Sequence, residues 1–237
     1  MLNKIEMPQE ASLLADSITR SIAKEVSTKF SDLFNRVLRK RTYITIFIAA
    51  ISQLTGINAI IYYGPEILKK VGLGNSNAMV SQLILSIILT LACVGAMYKI
   101  DKIGRRPLLL YGSIGIIVSL FLLGLLYVLH INMAVLYVAI IACYLIAFSF
   151  SLGPMPWVIV SEYFPTKVRG RAVSLASMIL FLSTSVVALT FPILRKGLGI
   201  GLTFWIYAII VCPVAWFAFS KMQETKQKSL EELSSIL

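Results

Sequence analysis

GPMPWVIVSEYFPTKVRGR, residues 153–171, decides how the rest of the chain is read. It begins inside a long apolar run that Gly153, Pro154 and Pro156 interrupt, and it ends in a polar segment carrying Glu162, Lys167, Arg169 and Arg171. Proline removes a backbone donor and clashes with the preceding turn, so the run predicts a broken helix. Broken helices at membrane depth are tolerated only inside protein or along a water-filled cavity, and transporters build binding sites from them. A simple membrane anchor has little need of such a break beside a charged hinge.

Outward from this stretch the chain is a series of apolar runs. Six lie near residues 42–63, 78–98, 107–129, 134–160, 172–193 and 201–220. Each is close to the ~20 residues that cross a ~30 Å hydrocarbon core. The chain is 58 % hydrophobic and 14 % charged, where a soluble domain carries about a quarter charged residues. The expected fold is therefore an all-α membrane protein, a six-helix transmembrane bundle over residues 42–220. Residues 1–41 are polar, and Leu14, Ile18, Ile22, Val26 and Phe30 recur every four residues. That spacing predicts an amphipathic helix on the cytoplasmic membrane surface, followed by a fresh helix start at Ser31–Asp32. Residues 221–237 form a polar cytoplasmic tail, and the polar first residues show no cleavable signal.

Net charge is +11, but its distribution excludes nucleic acid as a partner. Basic residues cluster in alternate polar segments between the apolar runs, not on one face of a folded domain. Residues 1–41, the 99–106 and 161–171 loops and the tail hold eight, four, three and three Lys and Arg, eighteen together. The opposite loops hold four: Lys69, Lys70, Arg195 and Lys196. By the positive-inside rule both ends lie in the cytoplasm, in a plasma or inner membrane. The cysteines Cys93, Cys143 and Cys212 form no metal or disulfide pattern, and no cofactor is implied. The single histidine, His130, has no nucleophile or base beside it, so an enzyme is not expected.

No Asp or Glu lies within the six runs, which rules out a carboxylate proton relay in this chain alone. The intramembrane polarity is neutral: Ser52, Gln53, Thr55 and Asn58, then Ser149 and Ser151, then Ser183, Thr184 and Ser185. Hydroxyls at such positions commonly join helices to one another. Gln53 and Asn58 flank Thr55-Gly56 near mid-span and carry both donors and acceptors, matching the hydroxyls of a sugar.

Four stretches carry a resemblance. SQLTGINAIIYYGPEI, DKIGRRPLL, GPMPWVIVSEYFPTKVRGRA and ETKQKSLEEL occur in the order and at the spacings of the sugar porter family of the major facilitator superfamily. They resemble its seventh-helix motif, its GRR loop, its tenth helix with the following loop, and its ETKG-type tail. The resemblance covers the second half of a twelve-helix fold and implies alternating-access transport of a sugar or related polyhydroxylated solute. It implies sugar contacts at Gln53, Asn58, Phe148, Trp157 and Thr184, and an outer gate at Tyr62 and Tyr63. Asp101, Arg105, Arg106, Glu162 and Arg169 would then form a cytoplasmic gate of ion pairs. Ser52, Leu89, Ser149 and Leu180-Phe181 stand where the family pattern has glutamine, asparagine, glutamate and an asparagine-tryptophan pair. The expected partners are a small-molecule sugar, membrane lipid, and a second six-helix half or another copy of this chain. The alternative is a six-helix membrane protein that does not transport.

Overall fold

A computed structural model describes residues 29–220. The amphipathic segment expected before residue 29 and the tail after 220 lie outside the described residues. Eight α-helices follow a single 3-10 turn at Phe30–Phe34. They are α1 (Arg39–Leu54), α2 (Ile57–Lys70), α3 (Asn75–Ile103), α4 (Arg105–Val128), α5 (Ala134–Phe150), α6 (Met155–Tyr163), α7 (Thr166–Leu198) and α8 (Ile200–Ser220). The helix start expected at Ser31–Asp32 is confined to that 3-10 turn. Asp32 serves as its third residue, accepting from the Lys29 amide at 2.7 Å, and the chain turns before α1 begins.

The pairs α1/α2 and α5/α6 are single spans with a break inside each. Among the described residues this leaves six helical segments long and apolar enough to cross a membrane, and the chain is an integral membrane protein. At 33 residues α7 is the longest, about 50 Å. It outreaches the ~30 Å hydrocarbon core and carries Lys167 and Arg195 near its two ends.

Packing follows the small residues. Helices α4 and α8 form the most extensive pair, because a Cβ at Gly124 would lie 2.8 Å from the Gly201 carbonyl oxygen. Hydrocarbon does not drive helices together, so close approach through small residues is what holds such a pair. Helix α4 also packs on α5, α5 on α3, and α1 on α7. Tyr137, Tyr144, Phe191, Phe204 and Tyr207 fill the core between them. Helix α3 is the outlier: only 17 % of its apolar segment is buried inside the bundle, against 56 % for the α1/α2 span. Most of its surface must meet lipid or another protein.

Candidate functional site

The first break is built at Thr55-Gly56. Gly56 has φ +84°, a left-handed conformation that costs a residue with a side chain about 1–2 kcal/mol. The Tyr207 ring of α8 packs against it, so closely that a Cβ at Gly56 would sit 2.5 Å from the ring. Thr55 ends α1: its hydroxyl donates to the Ser52 carbonyl at 3.0 Å and accepts from the Ile57 amide at 3.4 Å. Tyr144 of α5 reaches in to donate to the Thr55 carbonyl and hydroxyl, at 3.3 and 3.2 Å.

The break brings together two amides that a regular helix would keep apart. Residues five apart in an α-helix point about 140° away from each other. Here the Asn58 amide nitrogen donates to Gln53 Oε1 at 2.8 Å. Thr184, halfway along α7, completes a triangle: its hydroxyl accepts from Asn58 Nδ2 at 3.2 Å and donates to Gln53 Oε1 at 3.2 Å. All three side chains are half-buried. Gln53 Nε2 makes one long bond, 3.3 Å to the Ser52 hydroxyl. Asn58 Oδ1 accepts no hydrogen bond among the described residues and is not enclosed. The cluster therefore holds its geometry internally while keeping an acceptor and a donor free for a ligand.

The second break runs from Ser151 to Pro154. The Gly153 amide donates back to the Phe148 carbonyl at 2.9 Å, and α6 restarts with Pro154 as its N-cap. The Phe148 ring is buried and stacks on Tyr144, centroids 6.4 Å apart. Tyr144 in turn holds Thr55, so Phe148 supports the first break through one intermediary. Trp157 is 47 % exposed on a helix that packs against α1, and no hydrogen bond joins it to the Gln53 triangle.

The two tyrosines of the α2 end part company. The Tyr63 hydroxyl donates to the Ala188 carbonyl at 3.3 Å, and its ring lies 5.0 Å from that of Phe191. Tyr62 is exposed. Beyond them Arg195 lies 6.0 Å from the Tyr63 centroid and pairs with Glu66 at 2.6 Å. This α2–α7 ion pair was not legible in the chain, because its members are 129 positions apart and Arg195 reads only as a loop charge.

At the opposite end Arg105, the first residue of α4, pairs with Glu162 of α6 at 2.8 Å, both half-buried. Arg106 donates to the last carbonyls of α8, Ala218 at 3.1 Å and Phe219 at 2.7 Å. Arg169 donates to the Phe164 carbonyl at 3.2 Å. These two arginines thus hold backbone carbonyls, a role the motif did not suggest. The Asp101 side chain lies outside the described residues. Sequence reading also passed over Arg41, which is 5 % exposed and donates to the Tyr163 carbonyl at 3.0 Å, tying α1 to the end of α6.

The whole chain, residues 1–237, matches the family model described as "Sugar (and other) transporter". It is 33 % identical over 220 residues to the arabinose-proton symporter of Bacillus subtilis, a match covering 93 % of this chain and 47 % of that protein. It is 34 % identical over 224 residues to the D-xylose transporter of Levilactobacillus brevis, covering 91 % and 48 %. Among solved structures, the inward-open conformation of the xylose transporter XylE from E. coli superimposes with a TM-score of 0.77 at 28 % identity, covering 99 % of this chain and 48 % of that one. The chain spans about half the length of the relatives it matches.

Proposed function

The chain belongs to the sugar (and other) transporter family, and on that premise we propose that it is the C-terminal half of a sugar porter. A second six-helix half faces it, and the solute is a pentose, a hexose or a related polyol held between the two. The observation that carries this reading is the Gln53–Asn58–Thr184 triangle. It presents neutral donors and acceptors at a helix break, with no charge to repel or trap an uncharged solute.

In this reading the sugar hydroxyls take up Asn58 Oδ1 and the free proton of Gln53 Nε2, and Trp157 offers a ring face to the pyranose carbons. Sugar and transporter exchange hydrogen bonds with little net charge movement, so binding stays reversible. Tyr62 and Tyr63 form the outer gate on α2, whose hinge is Gly56. The Arg105–Glu162 pair, with Asp101, Arg106 and Arg169 around it, is this half's share of the cytoplasmic gate. Both ends of the chain face the cytoplasm, in keeping with eighteen basic residues on that side against four on the other. The sparse burial of α3 supports a large protein contact outside this half. Another copy of this chain could supply that contact in place of a distinct half.

The test is uptake of radiolabelled xylose and arabinose into proteoliposomes containing the chain with a candidate first half. Asn58→Ala is expected to weaken binding by about 1–3 kcal/mol, roughly 5- to 150-fold in affinity. Uptake unchanged in a Gln53→Ala/Asn58→Ala double variant would refute the site assignment.

A further inference from the structure

A cavity of about 490 Å³ opens at the end of the bundle remote from the Arg105–Glu162 pair, where the ends of α2 and α4 meet the starts of α5 and α8. The transport reading makes no use of it. Lys70, the last residue of α2, lines it together with His130 and Asn132, and no Asp or Glu among the described residues does. The start of α8 forms another part of the wall. Its first i→i−4 hydrogen bond is from the Thr203 amide to the Gly199 carbonyl, at 3.3 Å. The amides of Ile200, Gly201 and Leu202 come before it and find no acceptor among the described residues. All three residues line the cavity. Uncapped amides at the positive end of a 21-residue helix favour an anion.

Tyr137 is an independent sign of a ligand. It lines the cavity and is only 1 % exposed, its ring held edge-on by Tyr127 at 4.9 Å. The Tyr127 hydroxyl donates to the Ile67 carbonyl at 2.8 Å. The Tyr137 hydroxyl has no such partner among the described residues. The ring is enclosed but the hydroxyl oxygen itself is not, so it opens toward the cavity that Tyr137 lines. The remaining wall, including Trp205 and Val128, is mostly apolar.

We propose that this cavity binds a phosphate group. Lys70 supplies the charge, the α8 amides and the Tyr137 hydroxyl supply converging donors, and the apolar wall accommodates carbon attached to the phosphate. The headgroup of an anionic phospholipid and free inorganic phosphate share this chemistry.

The experiment uses the full chain in detergent micelles. Native mass spectrometry measures retained phosphatidylglycerol, and thermal unfolding is followed during titration with millimolar inorganic phosphate. Lys70→Gln is expected to lower phosphatidylglycerol retention about five-fold, the loss of about 1 kcal/mol for one cation at an anionic headgroup. Tyr137→Phe should lower it as well without moving the unfolding midpoint in lipid-free micelles. Lys69→Gln, outside the cavity, should leave retention at the wild-type level.

A lipid headgroup is identified if retention follows this order and inorganic phosphate has no effect. Free phosphate is identified if phosphate raises the midpoint of the wild type but not of Lys70→Gln, with lipid retention equal across the variants. The proposal is overturned if Lys70→Gln and Tyr137→Phe match the wild type in both measurements. It is equally overturned if Lys69→Gln loses as much lipid as Lys70→Gln, since that would be diffuse surface charge.

Discussion

Gly56→Ala tests the hinge and the site together. The new methyl group would meet two separate obstacles. A left-handed backbone at φ +84° costs alanine about 1–2 kcal/mol. The methyl would also lie 2.5 Å from Tyr207 Cδ2 and 2.8 Å from Cε2, in a packed interior where overpacking costs about 1–3 kcal/mol. The expected destabilisation is the sum, about 2–5 kcal/mol, measured by SDS titration of the full chain in mixed micelles with tryptophan fluorescence as the signal.

The two terms separate in a double-mutant cycle with Tyr207→Leu. The smaller side chain relieves the clash but not the backbone strain, so the coupling should recover about 1–3 kcal/mol. Functionally, a helix that straightens to relieve the strain would rotate Asn58 about 140° away from Gln53. Sugar binding should then fall at least as far as in Asn58→Ala. A Gly56→Ala protein within about 0.5 kcal/mol of the wild type would refute this account of the break, and so would a coupling near zero.

Two further predictions concern the ion pairs. Arg105→Gln removes a charge-assisted bond between half-buried groups and should cost about 1–3 kcal/mol in the same titration. The charge swap Arg105→Glu/Glu162→Arg should recover part of that; a swap no better than the single variant would show that the pair itself contributes nothing. Glu66→Gln should cost less than about 1 kcal/mol, because Glu66 is half-exposed in its pair with Arg195. Raising the salt to about 1 M should abolish even that difference.

The elements that the chain revealed best are those whose signal is local. Six runs of apolar residues read as six spans because each is long enough by itself to satisfy its backbone in lipid. GPMP announced a break through proline geometry, whereas Thr55-Gly56 stood out only as the pair that Gln53 and Asn58 flank. Gln53 and Asn58 stood out because amides are rare in apolar runs. Thr184 came from the family resemblance and a spacing, and the structure brings it to 3.2 Å from both amides. Phe148 came from the same source, yet its ring is buried against Tyr144 and props the break.

What the sequence alone determined was the membrane class, the helical architecture, the proline break and the neutral character of the site. All of these follow from composition and from interactions within a few residues of one another. Tertiary structure decided the rest. It set the tyrosines of α5 and α8 against the Thr55-Gly56 break, and it led Arg106 to the carbonyls near the end of α8. It also joined Glu66 to Arg195 and left Tyr137 facing a cavity with its hydroxyl unpaired. The contacts among these join residues far apart in the chain, and their meeting depends on how close the helices can approach, which is set by small residues such as Gly124 and Gly201 and not by hydropathy.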